Sequence, residues 1–313
     1  MNEAEALKSL IPPSQTRPGK VRGGVLQIHI TRACDLGCFG CTQGSNLRGK
    51  TSFISPDNFE IIVKSLKDYF GVIGVFGGNP ALSPQFPELC EILRQYIPKD
   101  RCGLWCNHPR GYGAEMRKTF NPAVSNLNVH LVKDAYDEFK RDWPESAPFG
   151  LIDDSRHSPP YVAMQDVVHD EAECWNLIAN CDINKNWSAM ACEIKGEPYG
   201  YFCEIAAAQA ILHQNDDSWP ITGIPIKQDA NWWKHDMTAF ASQVKQHCFA
   251  CGVPLRGYGA LAQGVNGKEQ VSATHADVYQ PKKPGRLVEL VEDINQIDSR
   301  NLKFTEYMQG AKK

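Results

Sequence analysis

Three cysteines stand close together near the start of the chain, at Cys34, Cys38 and Cys41. They directly follow the apolar segment from Val25 to Ile30, which is typical of a buried strand. Three thiolates can bind three of the four irons of a [4Fe–4S] cluster. The fourth iron then keeps an open position for a substrate or cofactor, as the metal of a catalytic zinc site does. The spacing therefore predicts a catalytic iron–sulfur centre.

This cysteine pattern resembles that of the radical S-adenosylmethionine (radical SAM) superfamily. The resemblance implies that the open iron binds the amino and carboxylate groups of SAM. One electron then cleaves SAM to methionine and a 5′-deoxyadenosyl radical, which takes a hydrogen atom from the substrate. In the family an aromatic residue precedes the third cysteine and covers SAM. Here Gly40 has that position and Phe39 lies one place earlier, and we expect both to contact the cofactor. Half of a zinc site is the alternative interpretation.

A second motif, Gly77-Gly78-Asn79-Pro80, follows the apolar segment Val72–Phe76. It resembles the GGEP motif of radical SAM enzymes, whose glycines allow the backbone to approach the ligand and whose third side chain binds the ammonium group of SAM. Asn79 replaces the family's glutamate, so its amide oxygen accepts a hydrogen bond without the strength of a charged acceptor. A simple turn, or a radical SAM fold without activity, are the alternatives.

Further polar residues follow the third and fourth predicted strands. The resemblance implies that residues at such positions bind SAM, and the candidates are Asn107, Ser125, Asn128 and His130. Cys106 lies at the end of the third strand and is a candidate hydrogen-atom donor, with packing in the core as the favoured alternative.

Strand and helix patterns alternate around these motifs. Helix signals begin at Ser55 and Ser83, each followed by apolar residues at helical spacing. The predicted strands are Gly24–Ile30, Val72–Phe76, Cys102–Cys106, Leu127–Val132 and Phe149–Ile152. This alternation predicts an α/β fold with a parallel sheet, whose ligands bind at the carboxyl ends of the strands. By resemblance we expect a partial (β/α)6 TIM-like barrel over residues 24–180, after an N-terminal leader of residues 1–23.

Four of the cysteines in the second half of the chain form a second pattern, namely Cys181, Cys203, Cys248 and Cys251. The first two flank a predicted β-hairpin of Trp187–Ile194 and Tyr199–Cys203, and predicted helices over Glu204–His213 and Met237–Gln246 precede the other two. This arrangement resembles the SPASM and twitch extensions of radical SAM enzymes, which carry an auxiliary [4Fe–4S] cluster. The absence of a cysteine after Cys251 favours the twitch-like form.

The resemblance implies a small α+β iron–sulfur domain over residues 181–313, with those four cysteines as ligands. Six residues separate Gly196 from Cys203 where the family has four. A structural zinc ion and unligated core cysteines are the alternatives, and Cys174 and Cys192 are possible substitute ligands. The apolar residues that predict a final amphipathic helix are Leu287, Val288, Leu290, Val291 and Ile294.

Composition narrows the class of protein. The chain has 313 residues and a net charge of −3, which argues against binding nucleic acid through bulk phosphate attraction but not against a local basic groove. No apolar run of about 18 residues predicts a membrane span. The clustered cysteines and the lack of a signal-peptide pattern predict reduced thiols and a cytoplasmic location.

The sequence thus predicts a radical SAM enzyme that takes a small-molecule or nucleotide-like substrate and receives electrons from an external donor of the flavodoxin or ferredoxin type. The chain also gives an impression of the phage-borne radical SAM proteins linked to base hypermodification. The alternatives are an enzyme that modifies ribosomally made peptides and, in another class, a non-enzymatic zinc-binding module.

Overall fold

The computed structural model describes residues 1–15, 24–38, 40–49, 51–130, 132–151, 160–186, 188–258, 268–283, 285–296 and 306–307. The strands are β1 Val25–Thr31, β2 Val72–Gly77, β3 Cys102–Leu104, β4 Gly150–Leu151, β5 Ser188–Ile194, β6 Glu197–Tyr201, β7 Ile224–Pro225, β8 Lys268–Val271, β9 Leu287–Leu290 and β10 Glu306–Tyr307. The α-helices are α1 Glu3–Ser9, α2 Pro56–Leu66, α3 Phe86–Tyr96, α4 Gly113–Thr119, α5 Lys133–Asp142, α6 Met164–Val167, α7 Glu171–Ala179, α8 Asp182–Asn186, α9 Glu204–Leu212, α10 Ala241–Gln243 and α11 Ala273–Ala276.

The central sheet has the strand order β3-β2-β1-β5-β6-β7. Strand β1 runs parallel to β2, with Leu26 beside Ile73, and β2 runs parallel to β3. Helices α2 and α3 supply the crossovers that parallel strands need. The mixed α/β class and the parallel arrangement of the first three predicted strands are therefore confirmed.

Both faces of β1 are buried, but they differ in chemistry. Leu26, Ile28 and Ile30 pack in the main hydrophobic core. Gln27 and His29 point to the opposite face, because side chains alternate along a strand. Burial, together with the charge of the nearby Arg32, lowers the pKa of His29 to about 3, so its imidazole is neutral at pH 7. The face of β1 opposite the core is thus polar and uncharged.

Among the described residues, the sheet continues beyond β3 through single parallel bridges. Trp105 pairs with Asn126, and Asn128 pairs with Phe149. The predicted strand over 127–132 is thereby reduced to these contacts, and β4 follows the second of them. A partial six-stranded barrel stays a prediction, since the described residues establish a parallel-rich sheet and no more.

The predicted β-hairpin is confirmed as β5 and β6, which pair antiparallel. Its turn is Lys195-Gly196, with φ of 51° and 80°, the left-handed geometry that two-residue hairpins favour. Strand β5 also runs parallel to β1, with Ser188 beside Val25. The hairpin therefore extends the central sheet across residue 180, while the division into domains at that point stays a prediction. Trp187 lies outside the described residues.

The predicted C-terminal helix is wrong. Leu287–Leu290 is strand β9, paired parallel with β8. Leu287 and Leu290 are 59% and 53% exposed, so this part of the apolar stripe does not pack in the core. Backbone pairing with β8 stabilises the extended form instead, and only Val291 of the stripe is almost fully buried.

The ends of two other predicted segments also differ from the structure. Within the predicted leader, α1 has a capping box from Asn2 and Glu5 and buries Ala6. Residues 16–23 lie outside the described residues. The helix predicted over 237–246 begins as a 3₁₀ helix at Met237 and ends as a π-helix at Cys248. Among the described helices, none is long and apolar enough to cross a membrane.

Candidate active site

The three cysteines of the first motif line one cavity at the carboxyl ends of β1, β2 and β3. The cavity has a volume of about 210 Å³. Its lining consists of Cys34, Leu36, Cys38, Gly40, Cys41, Thr42, Gln43, Ser45, Phe76, Gly77, Gly78, Trp105, Cys106, Asn107, Asn126, Asn128 and His130. The structure therefore brings together most of the predicted site residues. Phe39 lies outside the described residues.

The Cys34 thiol is held by two donors. The backbone N–H of Leu36 and the Nδ2 atom of Asn107 donate to its Sγ at 3.4 and 3.3 Å. Burial, and then the charge of a Cys41 thiolate, raise the pKa of Cys34 to about 11. Cys38 and Cys41 line the same cavity, and a bound metal is one of the features that stabilise thiolates. The donor set thus fits an iron–sulfur cluster, which supplies that metal.

The two glycines of the second motif contact the backbone of the segment that leads into and carries the three cysteines, residues 31–46, which we call the cysteine loop. A methyl group on Gly78 would lie 2.1 Å from the carbonyl oxygen of Ala33, and one on Gly77 2.2 Å from that of Thr31. Gly77 also has a φ of 144°, which side-chain-bearing residues rarely adopt. The Gly78 N–H donates to Thr31 O at 2.7 Å. The glycines therefore join the end of β2 to the cysteine loop, besides lining the cavity.

Asn79 lies behind the cavity wall and is absent from its lining. Its Nδ2 donates to Asp35 Oδ2 at 3.1 Å, and its Oδ1 accepts from the Cys106 thiol at 3.1 Å and from the Ala81 N–H at 3.3 Å. The side chain is fully buried in these contacts. In this structure Asn79 therefore ties Asp35 to Cys106, and its contact with SAM stays a prediction.

Two further predicted site residues face the protein instead of the cavity. Ser125 Oγ accepts from the Leu104 N–H at 3.1 Å and donates to Asn121 O at 2.7 Å, which fixes the end of β3. Pro80 is buried at the start of a 3₁₀ turn. The Ser125 prediction rested on position along the chain, and the Pro80 prediction rested on the resemblance to the GGEP motif. The Ser125 hydroxyl instead binds backbone groups of Leu104 and Asn121.

Sequence reasoning missed the aromatic wall of the cavity. The ring of Trp105 covers two glycines, since methyl groups on Gly74 and Gly103 would lie 2.6 and 2.7 Å from its Cζ3. Phe76 lies beside it, with ring centroids 6.4 Å apart. Alternation along the predicted strand Cys102–Cys106, continued by one residue, could have placed Trp105 on the same face as Asn107.

Three polar side chains of the lining carry oxygens without a hydrogen-bond partner in the described structure. They are Gln43 Oε1, Ser45 Oγ and Asn107 Oδ1. Their residues are 2%, 4% and 8% exposed, so water does not readily replace a partner. Buried polar atoms are nearly always hydrogen-bonded, which makes these oxygens candidates for ligand recognition.

One further cavity is lined by Cys181, Cys203, Cys248 and Cys251. Burial and the neighbouring thiols raise the pKa of Cys248 and Cys251 well above the usual range, and that of Cys203 to about 12. The charge of Cys181 contributes to all three shifts, which places the four sulfurs close together. This cavity has a volume of about 20 Å³. Most of its remaining lining is apolar and consists of Leu10, Ile178, Ile183, Phe202, Ile205, Ala206, Val253 and Pro254.

The remaining cysteines do not join either cavity lining, apart from Cys106. Cys192 is fully buried in the main core, and the Cys174 thiol lies 3.6 Å from Val168 O. Among the described residues, no three His, Cys, Asp or Glu side chains are close enough to hold a single metal ion. A four-iron cube places each thiolate on a different iron, so its ligands stand farther apart than those of one zinc ion.

A family model described as the radical SAM superfamily matches residues 28–141. This part of the chain is a radical SAM domain. The match contains the three clustered cysteines and the double glycine, and it confirms the predicted superfamily. The chain is therefore an enzyme, and the family implies a [4Fe–4S] cluster and SAM as its cofactors. The SPASM or twitch assignment stays a prediction.

Solved structures similar to this chain include BtrN in complex with AdoMet and 2-DOIA, with 15% identity and a TM-score of 0.47, covering 73% of this chain and 92% of that chain. Selenomethionine BtrN in an open conformation has 13% identity and a TM-score of 0.39, covering 72% of this chain and 86% of that chain. At these values no residue role carries over. The comparison with curated proteins found no match.

Proposed function

We propose that this radical SAM enzyme acts on a small, nucleotide-like substrate in the cavity beside Cys34, Cys38 and Cys41. The observation that carries the proposal is the shared cavity, in which three thiols, two glycines and an aromatic wall meet at the strand ends. When bound, the cluster supplies the electron for reductive cleavage of SAM. The protein binds and orients the ligands and keeps water from the reacting atoms.

The chain's own residues have distinct tasks in this proposal. Cys34, Cys38 and Cys41 would hold the cluster, and the backbone of Gly77 and Gly78 would approach SAM. Other lining residues proposed to contact SAM are Gly40, Asn107, Asn128 and His130. His130 has a φ of 45°, a conformation that non-glycine residues adopt mainly where the surroundings hold them, often at functional sites.

Two features of the lining support a substrate that carries a planar heterocycle. Trp105 and Phe76 offer ring faces on which a base can stack, and Gln43, Ser45 and Asn107 offer oxygens to N–H donors. Among the described residues, the lining contains no Asp, Glu, Lys or Arg side chain. A neutral base suits this environment better than a charged group does, because burying an unpaired charge is costly.

Cys106 is the proposed hydrogen-atom donor. Its thiol lies in the lining and donates to Asn79 Oδ1 or to His108 O, at 3.1 and 3.2 Å. Burial raises the pKa of Cys106 to about 12, so the sulfur keeps its hydrogen at neutral pH. We also propose a cytoplasmic location, where thiols stay reduced. An external donor of the flavodoxin or ferredoxin type would supply electrons to the cluster.

The proposal is tested by anaerobic purification with iron, sulfide and zinc measured per chain. Wild type should contain about eight irons and the Cys34/Cys38/Cys41 triple alanine variant about four, since each cube holds four irons. Under dithionite, wild type should form 5′-deoxyadenosine from SAM and the variant should not. Zinc without iron, after failed reconstitution, would overturn the enzymatic role and favour the zinc-binding module.

Trp105→Ala should weaken binding of nucleosides about tenfold to a hundredfold, the loss expected for one stacked base. Trp105→Phe keeps a ring face and should retain most of the affinity. Binding is measured by equilibrium dialysis of the four common nucleosides, in the presence of SAM. Equal affinity in wild type and Trp105→Ala would contradict a base against this wall.

A further inference from the structure

The cysteine loop is held by a buried carboxylate from the far end of the chain. Glu269 in β8 is fully buried. Its Oε1 accepts from the Gly40 N–H at 2.8 Å and from Asn46 Nδ2 at 3.0 Å. Gly40 stands between the second and third cysteines, and Asn46 follows the third. One carboxylate oxygen therefore binds the Gly40 backbone before Cys41 and the Asn46 side chain after it.

A cation just before the next strand pairs with this carboxylate. Arg286 precedes β9 and pairs with Glu269 at 2.8 Å, and the two side chains are 4% and 0% exposed. The guanidinium also donates to the carbonyl oxygens of Gly37 and Cys38. Lys282 donates to Cys34 O from the same segment. The parallel pair β8–β9 thus presents a buried ion pair to the loop between the cysteines.

We propose that Glu269 and Arg286 are positioning residues that hold the backbone at Cys38 and Gly40 and act in opposite directions on the reduction potential of the cluster bound there. The inference rests on the proposed function, because it needs a cluster at the three cysteines. Reduction adds one negative charge to a cluster, and its potential depends on nearby charge and hydrogen bonds. Arg286 stabilises the reduced cluster and Glu269 opposes it. In a buried site these effects are strong, so the paired charges nearly cancel.

The test is a reductive titration monitored by electron paramagnetic resonance. The signal measured is that of the cluster whose spectrum changes when SAM is added. Glu269→Gln removes the negative charge and should shift the potential upward. Arg286→Gln removes the positive charge and should shift it downward. The double variant removes both charges, leaves neither buried alone, and should titrate close to wild type.

Two more variants separate charge from geometry. Arg286→Lys keeps the charge but loses the two-pronged contact with Gly37 and Cys38, so its potential should stay near wild type while a chelator removes iron about tenfold faster. Glu115→Gln breaks an ion pair with Arg94 that lies outside the cavity lining, and should change neither quantity.

Opposite shifts of the potential in the two single variants support the inference. If a single variant cannot retain its cluster, a double variant with a potential near that of wild type supports it. Shifts of the same sign, unshifted potentials, or a double variant that differs as much as the single ones would overturn it. If wild type contains iron but the variants give one of these contradicting results, the inference fails and the proposed function stands. Wild type without iron would overturn the proposed function and this inference with it.

Discussion

Gly78→Ala is expected to abolish SAM cleavage and to lower the free energy of unfolding by at least about 3 kcal/mol, the upper part of the range for overpacking. The added methyl group would lie 2.1 Å from Ala33 O. That oxygen also accepts the Asn79 N–H at 2.6 Å, so the loop cannot move away without losing this bond. Relief of the clash must displace the segment that leads into Cys34.

Gly77→Ala should be at least as damaging, because a φ of 144° adds about 1–3 kcal/mol of backbone strain to the clash. Gly196→Ala is the matched control. Its φ is 80°, and nothing lies within 4 Å of an added methyl group, so it carries strain without a clash. It should cost about 1 kcal/mol and leave SAM cleavage intact.

The measurements are urea denaturation of each variant, iron content after anaerobic reconstitution, and 5′-deoxyadenosine formed under dithionite. A Gly78→Ala enzyme with wild-type iron and wild-type product would show that the double glycine tolerates a side chain. The close contact with the cysteine loop would then have no consequence for the site.

The parts of this site that the sequence predicts are those held together by local spacing. Cys34, Cys38 and Cys41 lie within eight residues of each other, and the strand before them is rich in apolar residues. The double glycine follows a second such strand. Because parallel strands end at one edge of the sheet, adjacency of the two motifs could be inferred before any contact was known.

The parts that could not be predicted depend on contacts between distant segments. Glu269 and Gly40 are separated by 229 residues, and no periodicity links β8 to the cysteine loop. The direction of Asn79 depends on Asp35 and Cys106, which lie on two other segments. The segment after Arg286 has helical spacing, but pairing with β8 takes precedence over that local pattern.

Cys251→Ala is expected to reduce the iron content from about eight to about four per chain while at least part of the uncoupled SAM cleavage remains. Cys181, Cys203, Cys248 and Cys251 line one cavity that does not include the first three cysteines. Loss of one thiolate from a fully ligated cube leaves an iron open and the cluster prone to loss, whereas the SAM-binding cluster keeps all its ligands.

Cys192→Ala is the matched control, because Cys192 is also buried but is not part of the lining of that cavity. It removes a buried sulfur and should cost stability without loss of iron. The two variants therefore separate ligation from packing. Full iron content in Cys251→Ala would show that this thiol is not a ligand. Loss of iron from Cys192→Ala would place it in the ligand set, and the auxiliary site would then need a different group of four cysteines.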